Sequence, residues 1–264
     1  MTEQGDTVSR QIKDESGYTM ELINYKNTGL YIPAYNRVIS TIKIDLDAIR
    51  NWKCRENDVF ICATPKAGTH WLWELVSMLK RGTAERIISP KEIFMLELIT
   101  KVIFEGMSGD RVFNTHLPFH YLPENITKKN AKIIYMLRNP KDTAVSHYYH
   151  SHKLGQYDGD WSAWFKRWLR GEVHYSSWFD YQIQWEKDIK NHPNYSIHIV
   201  HYEDMKEDPL RECKKIAEFI GSNTESSFLE NVVELCDFKK MKAEKFDTAV
   251  QSKFKWSKFR KGKL

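Results

Sequence analysis

The sequence predicts an α/β fold: a single domain with a central parallel sheet, helices on both faces and a P-loop-like anion-binding loop at one strand end. Short apolar runs of strand length alternate with helical patterns, the order that builds a parallel sheet through crossover helices. One run, Val59-Phe60-Ile61-Cys62-Ala63, passes through Thr64-Pro65-Lys66-Ala67-Gly68 into the amphipathic stretch Leu72 to Leu79, giving strand, loop and helix in succession. The 264 residues contain no internal repeat, low-complexity segment or Pro/Ser-rich linker, which suits one core.

Residues 1–18 read as a flexible polar tail, with the folded domain spanning 19–264. The tail has no positive region followed by an apolar one, so it is not a secretory signal. Residues 58–64, 111–116, 131–138 and 196–202 read as four buried strands, each rich in Val, Ile, Phe or Tyr. A helix over 71–80 follows the first. Pro140 suits the first turn of another, after the third. Trp161, Trp164, Phe165, Trp168 and Leu169 recur at helical spacing and read as a core stripe. Pro209 opens a helix over 209–220, with Leu210, Cys213, Ile216, Ala217 and Ile220 on its apolar face. Ligands of such sheets bind beyond the carboxyl ends of the strands, where His116, Arg138 and Tyr202 fall.

The loop at 64–68 is suited to an anion. Helix-start N–H groups converge there, Gly68 permits close backbone approach and Lys66 adds a charge. It is not a Walker A loop, because Lys66 precedes Gly68 instead of following it, which disfavours a nucleoside triphosphate hydrolase or kinase. Arg138 and Ser146 frame a second anion site, and Arg260-Lys261-Gly262 a third, so the expected ligand has two phosphate-like ends.

Hydrophobic residues at 41% and aromatics at 13% indicate a globular chain, and no run approaches the ~18 apolar residues of a membrane span. Cys54, Cys62, Cys213 and Cys236 show neither Cys-x-x-Cys spacing nor a histidine partner pattern, so reduced thiols and no metal are expected. The sequons at Asn125 and Asn194 are then expected to stay bare. Net charge is +5, but Lys239 to Leu264 holds ten Lys or Arg against Glu244 and Asp247, so the rest of the chain is net acidic. The basic end reads as a flap over an anionic ligand.

These motifs resemble those of the cytosolic sulfotransferases, which move a sulfuryl group from 3′-phosphoadenosine 5′-phosphosulfate (PAPS) to a hydroxyl or amine. Thr64 to Trp71 resembles that family's Tyr-Pro-Lys-Ser-Gly-Thr-Thr-Trp loop, and Arg138 to Ser146 matches Arg-Asn-Pro-Lys-Asp-x-x-Val-Ser without a gap. Further matches are Thr115-His116-Leu117-Pro118, Ser176-Ser177-Trp178-Phe179, Tyr202-Glu203-Asp204-Met205 and Arg260-Lys261-Gly262, a resemblance spanning residues 20–262. It implies PAPS as donor, adenosine 3′,5′-bisphosphate (PAP) as product, a small-molecule acceptor, a cytoplasmic location, and no metal, nucleic acid or membrane. By the same resemblance His116 is the general base, Lys66 acts at the bridging oxygen, and Ala67, Gly68, Thr69 and His70 hold the 5′-phosphate. Trp71, Tyr202, Cys236 and Phe238 fall at adenine positions, and Arg138, Ser146, Arg260, Lys261 and Gly262 at the 3′-phosphate.

The chain departs from the pattern in places. Asn114 stands where the family often has a lysine, a neutral donor that orients sulfuryl oxygens without charge unless another cation substitutes. His70 replaces a threonine, Ala63 removes a hydroxyl, and Cys236-Asp237 replaces Thr-Ser, with Asp237 tolerable near an anion only if it points outward. The sequence ends at Leu264, before the family's usual C-terminal dimer motif, so the expectation is a monomer or a dimer through another surface. Phe94, Phe119, Tyr149, His150 and Phe246 are expected to line an apolar acceptor pocket, with His150 replacing a frequent phenylalanine. A nucleotide-binding protein with weak or no transfer activity is the alternative; a nucleic-acid binder using Phe254, Trp256 and Phe259 leaves residues 58–146 unexplained.

Overall fold

The structure, a computed structural model, describes residues 8–33 and 45–241. The described chain opens with a small antiparallel sheet of β1 (Val8–Lys13), β2 (Thr19–Asn24) and β3 (Tyr31–Ile32). The 1–18 tail expectation is therefore corrected from residue 8 onward. β1 is polar and exposed, and its order comes from partners instead of its own apolarity. It pairs with β2 from Val8↔Asn24 to Lys13↔Thr19, while Arg167 donates to the Ile12 carbonyl at 2.8 Å. The Tyr157 hydroxyl donates to Asp14 at 2.7 Å and ties down the turn that follows.

After α1 (Leu46–Ile49), β4 (Val59–Ala63) leads into α2 (Thr69–Arg81). α3 (Lys101–Gly106) precedes β5 (Val112–Thr115), and β6 (Lys132–Leu137) runs into α4 (Pro140–Lys153). α5 (Trp161–Leu169) and α6 (Trp178–Asn191) cross back to β7 (Ser196–His201), followed by α7 (Tyr202–Glu207), α8 (Pro209–Ile220) and α9 (Ser226–Leu235). The central sheet is four-stranded and parallel in the order β5-β4-β6-β7. All four expected strands form, with bounds shifted by one residue at most ends, and the 209–220 helix forms over its full expected length.

β4 is buried at every residue because both faces are covered. Alternation sends Phe60 and Cys62 to one core with Phe104, Tyr135 and Trp185, and Val59, Ile61 and Ala63 to another with side chains of α2, α8 and α9. At the amino ends of the strands, buried Arg111 pairs with buried Asp58 through two hydrogen bonds, locking β5 to β4 at the edge opposite the loop. The aromatic stripe of α5 is core only in part. Trp164 and Trp168 are buried, whereas Trp161, Phe165 and Leu169 are 39%, 36% and 47% exposed. Among the described residues no helix is long and apolar enough to cross a membrane.

Candidate active site

The carboxyl ends of β4, β5, β6 and β7 converge on the loop at 64–68. Gly68 caps α2 at φ +114°, and a Cβ built there would lie 2.7 Å from Tyr202 Cδ2 and 2.9 Å from Met136 Cε. No other residue fits without displacing that packing. Lys66 also takes a left-handed conformation, φ +69°, which turns the loop so that its carbonyl accepts Arg138 Nη1 at 2.9 Å. Arg138 lies with its guanidinium carbon 4.1 Å from the centre of the Tyr202 ring, and Tyr202 meets Trp71 edge-on at 5.7 Å. Lys66, Gly68, Trp71, Arg138 and Tyr202 thus form one contiguous patch. Among the described residues Arg138 Nε is buried without a hydrogen-bond partner, an unmet cationic donor that an anion would satisfy. Ala67 and Thr69 are buried beside it, and His70 Nε2 sits 3.3 Å from Glu92.

His116 stands just beyond β5. Its Nδ1 is 2.7 Å from the Ala63 carbonyl. A carbonyl only accepts, so Nδ1 carries the proton and Nε2 presents a lone pair. Burial first, and then the ammonium of Lys91, lower its pKa to about 3 against the pull of the Ala63 hydrogen bond. The ring is therefore neutral at pH 7. Its backbone N–H donates to Glu97 at 2.9 Å, and Glu97 also accepts from Thr115 Oγ1 at 2.8 Å and Tyr175 OH at 3.1 Å. Glu97 is buried, with its pKa raised by that burial.

His150 comes inward from α4. Its Nδ1 lies 3.4 Å from Lys66 Nζ, and because an ammonium only donates, the ring proton sits on Nε2. Burial and Lys66 both hold it neutral. Asn114 is fully buried and exchanges hydrogen bonds with Lys91: Lys91 Nζ to Oδ1 at 2.8 Å, and Nδ2 to the Lys91 carbonyl at 3.0 Å.

Other expected positions fall elsewhere. Phe119 is corrected from pocket wall to core: it is 6% exposed and packs on Trp185, His192 and Tyr195, near the amino end of β7. Phe94 leans on buried Trp73 at 5.3 Å with part of its surface open, and Tyr149 is 49% exposed beside Tyr148. The Cys236 side chain is buried in the apolar cluster of α2, α8 and α9, which turns it toward packing. Phe238 is half-buried two residues further on. Asp237 is exposed and accepts the Lys239 and Lys240 N–H groups, so it points outward. Ser146 is half-buried on α4, and no described contact joins it to Arg138. Phe246, Arg260, Lys261 and Gly262 lie outside the described residues.

Sequence reasoning missed Glu97, Lys91 and the Ala63 carbonyl. A lone carboxylate inside Ile93-Phe94-Met95-Leu96-Glu97-Leu98-Ile99 was a signal for the first, since such a group is buried only with partners. Lys91 had no comparable signal.

Residues 56–264 match the sulfotransferase domain. The chain is similar to sulfotransferase 1B1 of Canis lupus familiaris, 34% identical over 218 residues that cover 78% of this chain and 73% of that protein. It is similar also to sulfotransferase 1C2 of Rattus norvegicus, 33% identical over 224 residues, 77% of this chain and 74% of that one. Among solved structures, mouse sulfotransferase SULT7A1 complexed with PAP superposes with a TM-score of 0.65 at 32% identity, covering 82% of this chain and 75% of that chain.

Proposed function

The chain belongs to the sulfotransferase family, and on that premise we propose that this sulfotransferase takes its sulfuryl group from PAPS and delivers it to the hydroxyl or amine of a small aromatic or lipophilic acceptor, with His116 as general base. The residues present fit an anionic nucleotide. Gly68 lets the loop pack directly on Tyr202 and Met136 beside Arg138, and among the described residues Arg138 keeps an unmet buried donor there. When bound, PAPS would supply an electrophilic sulfur for the acceptor hydroxyl or amine, with the 5′-phosphate as the leaving group that takes up negative charge.

Lys66 and the N–H groups of Ala67, Gly68, Thr69 and His70 would hold the 5′-phosphate end, where the lysine offsets growing negative charge. Trp71 and Tyr202 offer aromatic faces for adenine, with Phe238 beyond them. Arg138 and Ser146, together with Arg260, Lys261 and Gly262, are assigned to the 3′-phosphate. His116 Nε2 takes the acceptor proton. Burial is the main cause of its low pKa, and the negative charge of a polyanionic ligand would counter the smaller lowering by Lys91 and Lys66 and strengthen it as a base. Phe94 and Tyr149 supply apolar surface for the acceptor, while the Nε2–H of His150 adds a polar donor beside Lys66.

The observation that carries this reading is the His116 tautomer, locked by Ala63 so that a lone pair stands ready. The test is PAP release from PAPS with a panel of phenols, sterols and aryl amines, for wild type and His116→Ala. Acceptor-dependent release that falls about 10²–10⁴-fold in the variant, with PAP affinity preserved, is expected of a general base. Tight PAP binding with no release for any acceptor would overturn the transfer reading in favour of a binding protein.

A further inference from the structure

His150 lies at the edge of the buried stripe of α4. That stripe is Thr143, Ala144, His147 and Ser151; beside it His150 is half-buried, and its neighbour Tyr149 is exposed. The imidazole is thus neither packed into the core nor released into bulk water. One ring nitrogen is committed. Nδ1 lies 3.4 Å from Lys66 Nζ, and because an ammonium only donates, Nδ1 is the accepting nitrogen and Nε2 carries the proton. Burial first, and the Lys66 charge second, keep the ring neutral, so the tautomer holds. Nε2 sits across the ring from Nδ1. Its N–H therefore aims away from the phosphate loop, and it meets no partner among the described residues. A phenyl ring at the same place would match this shape and offer no donor.

We propose that His150 is a specificity-determining residue whose Nε2–H selects acceptors carrying a second oxygen, an ether, hydroxyl or carbonyl, besides the hydroxyl that is sulfated. This rests on transfer taking place beside Lys66 and His116. The acceptor hydroxyl has to reach the sulfur next to Lys66, and the scaffold behind it passes the imidazole held on that same lysine. Lys66 has three N–H donors, so its bond to His150 is compatible with holding a phosphosulfate. A purely apolar scaffold strips water from Nε2–H and leaves the donor unmet, whereas an oxygen there replaces the lost water. A site with such a donor discriminates against an analogue that lacks the matching group. By fixing which nitrogen donates, the phosphate loop also sets the hydrogen-bonding sense of the acceptor pocket.

The test uses matched phenols in which an ether oxygen replaces a methylene: 2-, 3- and 4-methoxyphenol against 2-, 3- and 4-ethylphenol. Their kcat/KM with PAPS, and their calorimetric affinities for the PAP-loaded protein, are measured for wild type, His150→Phe, His150→Asn and His150→Gln. Wild type is expected to favour at least one methoxyphenol over its ethyl partner about tenfold in both measurements, the size of one net hydrogen bond. His150→Phe is expected to lose that preference. His150→Asn, whose Oδ1 stands where Nδ1 was and still accepts from Lys66, is expected to lose it too. His150→Gln, which brings an N–H near the place of Nε2, is expected to retain most of it. A wild type without preference, or a preference that survives His150→Phe or His150→Asn, overturns the inference while leaving sulfuryl transfer in place. A fall of both series by the same factor counts among the surviving preferences, because a merely structural role acts on both alike. No PAP release with any of these phenols or the wider acceptor panel, despite PAP binding, overturns the transfer reading and the inference with it.

Discussion

His116 and His150 carry their ring protons on opposite nitrogens, and the difference follows from one contact each. Ala63 offers a carbonyl, so His116 keeps its Nδ1 proton and exposes a basic Nε2, whereas Lys66 offers an ammonium, so His150 keeps its proton on Nε2. The same imidazole thus serves as acceptor at one position and donor at the other. Gly68 is the residue whose identity the backbone dictates most strictly. Gly68→Ala must put a Cβ into Tyr202 and Met136 at φ +114°, at a cost of about 1–3 kcal/mol by general backbone strain. The expected outcome is a lower Tm and PAP binding weakened at least tenfold, since the loop that would hold the phosphate shifts; unchanged calorimetric affinity would contradict it. That Lys66, Gly68, Arg138 and Tyr202 meet at the strand ends was legible because each follows an apolar strand run in the sequence. Phe119 was misread because an apolar side chain carries no mark of which cavity it fills.

At the scale of elements, strand ends carry the chemistry and their supports come from elsewhere in the chain. The end of β5 is held by Glu97, which gathers Thr115, the His116 N–H and Tyr175 from separate segments. Glu97→Ala orphans those donors and is expected to lower stability by about 2–4 kcal/mol, given the cost of unmade buried hydrogen bonds. Glu97→Gln, which keeps an accepting oxygen, is expected to lose less. Urea unfolding measures both, and the Ala variant is expected to lose kcat as well, because His116 is no longer fixed. β1 shows the same dependence on distant partners. Its polar alternation looked like a tail because the apolar half of the hairpin, Met20 and Leu22, lies on β2. α5 was legible as a helix, but its periodicity marked a stripe wider than the part that is buried.

For the whole molecule, the parallel sheet gathers segments distant in sequence onto one edge and surrounds Lys66 with histidines kept neutral. Burial lowers the pKa of His116 to about 3 and of His174 to about 4, and it holds His147 and His150 low as well. Each lies below the unfolded value of about 6.5, so between the two the unfolded chain binds the extra proton. Stability is full above about pH 6.5 and falls as pH drops toward the folded values, by about 1.4 kcal/mol per unit for each such histidine. The urea midpoint is expected to be markedly lower at pH 5 than at pH 7.5. His174→Gln, outside the proposed chemistry and able to keep the bond to the Glu21 carbonyl, is expected to remove about 2 kcal/mol of that acid loss.

The sequence by itself determined the parallel α/β class, the loop at 64–68, the strand-end positions of His116, Arg138 and Tyr202, and the family. Those rest on local pattern: apolar periodicity, a glycine where only glycine fits, and charged residues adjacent to it. Tertiary structure decided the protonation sites of the two imidazoles, the buried Lys91–Asn114 and Glu97 contacts, the order of β1 and the inward turn of Phe119. These depend on which partner and how little water surround a side chain, and packing sets both only after residues far apart in the chain have met.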